Sequence, residues 1–395
     1  MKTVKLGDVC TIVSGSTPSR KIDEYWNGNI PWVTPKEISR LKSRFLWDSA
    51  EKITDAGFKS CSTNLLPANS LLLSSRAPIG LLAINKIPVC TNQGFKSLIP
   101  NNNINVEYLY YVLKKNTSRL QSLGNGATFK ELSKSSLESF QIPFPSLPDQ
   151  IRIAALLSKV EALITQRKTH LQQLDTFLKS IFIDLFGDPV KNEKGWEDTT
   201  IGELASEVKY GTSAPAKGGG YTYLRMNNIT QEGHWNFQRL KSIELSESEF
   251  KKYSVKSGEL VFNRTNSKEL VGKTAVYKED KPAVIAGYLI RVRFRDETNP
   301  WFVWGHLNSK YGKSYLFNLC RNIVGMANIN SKELQSIPIL NPPLALQNHF
   351  AAIVEKVEAL KTRYEQSLAD LETLYAALSQ KAFSSTLDLS RIQIA

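Results

Sequence analysis

The pentapeptide Lys159-Val160-Glu161-Ala162-Leu163 returns 197 residues later as Lys356-Val357-Glu358-Ala359-Leu360, and no other feature of the sequence narrows its possible folds as much. At the same offset Leu137, Pro145, Leu147, Gln150, Leu171 and Leu174 meet Leu334, Pro342, Leu344, Gln347, Leu368 and Leu371. One shared pentapeptide can arise by chance, but agreement spread over its flanks does not, so the chain reads as one unit written twice. Upstream the register drifts as loops of unequal length would make it, yet landmarks recur in order. Leu6-Gly7-Asp8-Val9 answers Ile201-Gly202-Glu203-Leu204, and Gly15-Ser16 answers Gly211-Thr212. Ser70 to Leu73 with Arg76 answers Glu259 to Phe262 with Arg264, and Gly94-Phe95 answers Gly287-Tyr288.

The pentapeptides lie in long helical patterns. Pro148 suits a first turn, Asp149 favours the positive end of the helix dipole, and neither Pro nor Gly interrupts before Gly187. Alternating steps of four and three select Ile153, Leu157, Val160, Ile164, Arg167, Leu171, Leu174, Leu178, Ile181 and Leu185. The second copy gives Phe350, Val354, Val357, Lys361, Tyr364, Leu368, Leu371, Tyr375, Leu378 and Ala382, again with one charged exception. A seam of period 3.5 is the mark of a coiled coil. Two unrelated helices, each lying on its own domain, explain the pattern less well, because the seams match in length and neither has another evident partner. The expectation is an antiparallel pair related by a pseudo-twofold axis, each rod roughly 57 Å long at about 1.5 Å per residue. That exceeds one turn of B-DNA, about 34 Å.

The remaining segments mix short apolar runs with turns: Ser70 to Ser75, Leu81 to Ile87, Val261 to Phe262, Thr274 to Tyr277 and Leu289 to Phe294 read as strands, Val106 to Lys115 and Trp301 to Tyr311 as helices. The fold class is therefore α+β, with two pseudo-twofold-related α+β domains separated by the antiparallel helices. The boundaries are 1–147 and 190–343 for the globular domains, 148–189 and 344–384 for the spacer helices, and 385–395 for a tail. Charge respects this division. Lys plus Arg against Asp plus Glu is 18 to 10 in residues 1–148 and 22 to 16 in 190–343, but 5 to 5 and 5 to 6 in the helical segments. A net charge of +13 confined to the globular blocks points to a polyanion.

Base reading needs forked or bidentate donors, and phosphate contacts need cations and small residues that let backbone approach. The candidates in the first half are Ser14, Gly15, Thr17, Lys36, Arg76, Asn92, Gln93, Lys96 and Lys130. In the second they are Tyr210, Thr212, Arg225, Asn227, Asn228, Arg264, Lys268, Lys273, Asn328 and Lys332.

Catalytic chemistry has little to stand on. Asn341-Pro342-Pro343 resembles the Asn-Pro-Pro-aromatic motif of amino-methyltransferases, but the aromatic is missing and the repeat sets it opposite Phe144-Pro145-Ser146, where a helix begins. Gly218-Gly219-Gly220 lacks dinucleotide-loop spacing, and His170, His234, His306 and His349 lack metal-ligand spacing. Cys10, Cys61, Cys90 and Cys320 form no CxxC, so neither a zinc site nor a disulfide framework is expected. The expectation is no catalytic residue and no metal. With no apolar run of 18 residues and no leader-like start, a cytoplasmic protein without a membrane partner is expected.

The chain resembles the specificity subunits of Type I restriction-modification systems. The resemblance rests on the helix starts Ser146-Leu147-Pro148-Asp149-Gln150 and Pro343-Leu344-Ala345-Leu346-Gln347, and on the helix ending Phe186-Gly187-Asp188-Pro189. It rests equally on Leu6-Gly7-Asp8, Ile30-Pro31-Trp32-Val33 and Arg76-Ala77-Pro78-Ile79-Gly80. Ser146 departs from the usual proline without harm to helix initiation. The resemblance implies two target-recognition domains, each reading half of an asymmetric bipartite site on double-stranded DNA. It further implies that the helices dock two methyltransferase subunits, that restriction/translocase subunits can join, and that S-adenosylmethionine and ATP bind those partners. The alternative is an enzyme, a fused DNA methyltransferase or nuclease carrying two recognition domains.

Overall fold

Leu71–Leu73 and Leu260–Asn263, the apolar runs that answer one another in the repeat, are fully buried strands at matching places in two sheets. The structure, a computed structural model, describes residues 2–126, 130–216, 218–323, 326–384 and 386–389. Two compact units form: Met1–Gln166 with Leu368–Ala395, and Arg167–Ser367. Both long helices, Leu147–Phe186 and Leu344–Phe383, are divided between the units near their midpoints. The sequence boundaries instead set the helices apart as segments of their own.

In the first unit a five-stranded sheet runs Cys10–Ser14, Lys96–Pro100, Leu71–Leu73, Leu82–Asn85, Phe45–Leu46. A smaller sheet places Trp26–Val33 between Lys52–Ile53 and Cys90–Thr91. In the second unit the matching sheet runs Ala205–Tyr210, Leu289–Phe294, Leu260–Asn263, Thr274–Val276. Its companion places Tyr221–Leu224 and Ala283–Ile285 side by side, parallel, as Trp26–Val33 and Cys90–Thr91 are in the first unit. Each globular part also joins its first strand to the approach of a long helix by an antiparallel pair, Thr3–Lys5 with Gln141–Pro143 and Glu197–Thr200 with Pro338–Asn341. The helix expected over Trp301 to Tyr311 is two: Pro300–Asn308 ends where the Ser309 hydroxyl accepts from Gly312 N at 3.0 Å and starts Lys310–Leu319.

The repeated glutamine of each helix start has a structural task. Gln150 Oε1 accepts from Asn105 N at 2.8 Å while its Nε2 donates to Pro145 O at 3.1 Å. Gln347 does the same with Asn299 N at 2.9 Å and Pro342 O at 2.8 Å. Both side chains are fully buried, so each satisfies backbone groups that would otherwise be stranded away from water. Pro342, in the Asn-Pro-Pro sequence, is thus held at a strand-to-helix turn.

The repeated glutamate anchors each domain to its helix. Glu161 accepts from Tyr111 Oη at 2.9 Å, pairs with Arg44 at 3.5 Å and also pairs with Lys114. Glu358 pairs with His234 Nδ1 at 3.2 Å and with Lys278 at 3.2 Å. His234 Nε2 reaches Asp175 on the first long helix at 2.9 Å. Burial pulls the imidazole pKa down, but the two carboxylates outweigh it and hold His234 above its ordinary value. Burial pushes the Glu358 carboxyl up, and His234 with the neighbouring lysines overcomes this, lowering it to about 2.

The seams differ from expectation in having further partners. In the second unit Leu178, Phe182, Phe186, Phe350, Val354 and Val357 share one core with Phe302, Val303 and Leu307 of the globular part. In the first, Ile153, Ala154, Leu157 and Ala382 join Tyr108, Leu109 and Val112. The helix faces are therefore walls of the domain cores as well as a pairing surface, the broader stripe typical of a helix on a globular body. Val160 is buried, Leu174 and Tyr375 pack against these cores, and Ile164, Leu171, Leu368 and Leu371 are half-buried. Within the second unit the helical segments run antiparallel, with Phe182 beside Phe350 and Asp175 bonded to Lys361 at 2.7 Å. The charged exceptions are thereby accounted for: Lys361 meets Asp175, and Arg167 lies 4.1 Å over the Tyr364 ring. Among the described residues, no helix is long and apolar enough to cross a membrane.

Candidate nucleic-acid interface

Loops gather at one end of the central strands of the larger sheet in each unit, and the same backbone bonds hold them. In the first unit Ser75 N donates to Gly94 O at 2.7 Å, and Leu132 N donates to Ser75 O at 2.9 Å. In the second, Arg264 N donates to Tyr288 O and Ile329 N to Arg264 O, both at 2.9 Å. Ser75 and Arg264 are therefore structural equivalents, as are Gly94 and Tyr288. This corrects the sequence match by one residue: Arg76 corresponds to Thr265, and Gly94-Phe95 to Tyr288-Leu289. The pairs Leu71 with Leu98 and Leu260 with Val292 fix the same register.

Gly15 and Gly211 keep their predicted equivalence, and each lies close against its own chain. A Cβ on Gly15 would lie 2.2 Å from Asn92 O, and one on Gly211 would lie 2.1 Å from Ile285 O. The missing side chain at each admits a neighbouring strand of the same chain. Three other candidates are buried and bonded within their own chain. Lys273 donates to Met226 O at 2.7 Å and Ile229 O at 2.6 Å, and Thr212 Oγ1 accepts from Ala214 N at 3.1 Å. Asn228 accepts from Arg225 N and donates to Asn236 O, each at 2.9 Å. All three are buried. Their donors and acceptors tie loops together, a use that residue type alone does not distinguish from DNA contact.

The remaining candidates lie on or beside the loop clusters. Ser14 ends its strand opposite Lys96, which pairs with Glu131 at 3.4 Å. Thr17 bonds to Gln93, and Asn92 Oδ1 accepts from Gly94 N at 2.9 Å. Arg76 and Lys130 line a cleft of about 690 Å³ with Pro78, Ile79 and Gln121. Lys36, exposed in the short helix Pro35–Ile38, and Asn227, exposed in the turn Met226–Asn228, hold matching places one strand away. In the second unit the Arg264 guanidinium lies 4.7 Å over the Tyr210 ring, and Arg225 donates to Arg239 O at 2.9 Å. Asn328 faces Thr265 across a strand pair, and Lys332 is exposed in the helix Ser331–Gln335. Lys268 lies 4.4 Å over Phe317 beside a cleft of about 600 Å³ that Lys179, Lys313 and Glu232 also line. Burial there, aided by Lys179, lowers the Lys313 ammonium to about 8.

Both clefts lie between the loop after a matching strand and a short helix, Thr117–Ser122 in one unit and Lys310–Leu319 in the other. Cations in concave, loop-built surfaces focus potential and suit a polyanion. Two exposed aromatics of the second cluster, Tyr288 at 51% and Phe317 at 43% exposure, were not singled out as contacts from sequence. The Gly287-Tyr288 landmark was the available signal. Among the described residues, no group of three or more His, Cys, Asp or Glu side chains is placed to hold a metal ion.

Residues 1–176 and 193–373 match the Type I restriction modification DNA specificity domain. The chain is 38% identical over 230 residues to the Type I restriction enzyme MjaIX specificity subunit of Methanocaldococcus jannaschii, a match covering 54% of this chain and 53% of that one. It is 36% identical over 166 residues to the EcoR124I/EcoR124II specificity subunit of Escherichia coli, covering 40% of each. These matches span about half or less of the relatives' lengths. The solved Type-I restriction-modification S subunit from M. genitalium shares the fold at a TM-score of 0.60 and 16% identity, covering 97% of this chain and 96% of that one. A chain solved in work on complex assembly and conformational transition of the type I R-M system superposes at 0.58 with 18% identity and 98% coverage of both. With the specificity domain matched twice along its length, this chain belongs to the Type I restriction-modification specificity subunit family.

Proposed function

We propose that the chain is the DNA-recognition subunit of a Type I restriction-modification complex, each globular domain reading one half of a bipartite, asymmetric site on double-stranded DNA. One observation carries the proposal: the same loop cluster is built twice on the same β framework, with different side chains at equivalent backbone positions, as at Ser75 and Arg264. A shared framework with exchanged loop residues is what two readers of unlike half-sites require. The long helices act as the ruler between half-sites and as the dock for two methyltransferase subunits, with restriction/translocase subunits joining the assembly. The apolar side chains of Leu163, Phe177, Ile183 and Leu374 stay exposed on these helices and suit such a dock.

Chemistry is assigned to the partners, which would bind S-adenosylmethionine and ATP, and the chain itself is read as non-catalytic and cytoplasmic. Selection from randomised duplexes, using the chain purified with the subunits it assembles with, tests the proposal. The expected product is a two-part consensus with a fixed unread spacer. Binding without sequence preference, or DNA methylation by the isolated chain, would overturn it.

A further inference from the structure

We infer that Arg264 is a specificity-determining residue that reads a guanine in the half-site assigned to the second domain, an inference that rests on the DNA-recognition reading above. The residue is unusually well placed for its exposure. Its backbone N–H and carbonyl are both bonded, to Tyr288 O and Ile329 N, so the loop cannot swing at this point. The loop it opens is closed at its base by Gly272 N donating to Asn263 O at 2.8 Å and Asn263 N donating to Lys273 O at 2.8 Å.

The side chain is held as firmly. Its guanidinium lies over the Tyr210 ring, and Tyr210 Oη accepts from Ser331 N at 2.7 Å, so the platform is itself fixed. Stacking sets the plane of the fork and leaves its edge to meet an acceptor. The buried Nε has no hydrogen-bond partner, as is also true of Arg225 and Arg291, but among the described residues no carboxylate pairs with the Arg264 guanidinium. Arginines in the neighbouring strand are treated otherwise: Arg293 meets Glu207 at 3.0 Å, and Arg291 pairs with the same carboxylate. A half-buried, oriented and unpaired guanidinium is costly to keep without an acceptor in the functional complex.

Guanine supplies that acceptor in a form matched to the fork, since its O6 and N7 face the major groove together and take a bidentate arginine. The first domain has Ser14 and Ser75 at the places of Tyr210 and Arg264, so it lacks this device at this point. Its Arg76 sits one position on, at the place of Thr265, and lines a cleft with Lys130, Gln121 and Glu131.

The test is duplex selection with the assembled full chain, comparing the parent with R264A, R264K and Y210L. R264A should lose preference for guanine at one position of one half-site by roughly ten- to a hundred-fold, leaving the other half-site unchanged. R264K keeps the charge but not the fork and should lose the same preference while keeping its affinity for random-sequence DNA and the salt dependence of that affinity. Y210L, which removes the platform, should relax the same position. Uniform weakening on every sequence with a shallower salt dependence would mean a phosphate contact and would overturn the inference. So would an unchanged consensus, or guanine preference kept in R264K. Should the parent chain show no two-part preference, the recognition reading fails first; a parent consensus that R264A leaves intact defeats this inference alone.

Discussion

At the residue scale the second domain is built on charges that the first does without. Arg291 is 1% exposed and is met by Glu207 and Glu259, with Arg293 completing the group. The strand register puts Ser97, Thr11, Ser70 and Ile99 in the corresponding places of the first domain. Removing one member of a buried group strands the others, so R291M should cost roughly 3 kcal/mol in the urea unfolding of the second unit. An unchanged transition would show that the group carries no such weight. Lys273, Asn228 and Thr212 are polar loop residues in a basic domain, and residue type alone does not show that they bond within their own chain. Gly15 and Gly211 were legible as special positions, but not as places where another strand passes 2.1 to 2.2 Å from a would-be Cβ. G211A should therefore lower thermal stability by roughly 1–3 kcal/mol through forced displacement of the Ile285 segment.

At the scale of elements the repeat was legible because its most exacting parts are those that join helix to domain. Gln150 and Gln347, and Glu161 and Glu358, recur because each satisfies a specific set of partners at the same turn of the helix. The substitution Q347L should destabilise the second unit by about 2 kcal/mol, leaving Asn299 N and Pro342 O without their partner; an effect below a few tenths would contradict the role given to it. The long seams were visible too, but period alone could not say that they also wall the domain cores. Loop register was lost by one residue, because a glycine followed by an aromatic occurs in both halves while the backbone equivalence is shifted.

The two anchors differ in chemistry. The first uses Arg44, Lys114 and Tyr111 around Glu161; the second uses His234 between Asp175 and Glu358, with Lys278 and Lys361 beside them. The folded pKa of His234 lies above its unfolded value near 6.5, so its contribution is whole below that pH and lost as pH rises through the folded pKa. Glu358 acts in the opposite direction: its share is present above 4.5 and lost as pH falls toward about 2. Thermal denaturation across roughly pH 5.5 to 8.5 should show the second unit weakening with rising pH, and H234Q should flatten that slope. A slope that survives in H234Q would place the titrating group elsewhere.

At the scale of the whole molecule, a charge excess confined to two blocks, two matched helices and a resemblance carried by the helix starts were enough to read the family from sequence. Which loop residues face a ligand was not legible, since that depends on turns that the β framework positions and the linear order does not reveal. In the proposed function one framework carries two independent readers. Exchange of residues 1–147 for the corresponding domain of a relative with a different target, followed by mapping of methylated sites in cells carrying the complex, tests it most directly. One new half-site is expected, with the other half-site and the spacer retained. A change in both half-sites, or in neither, would contradict it.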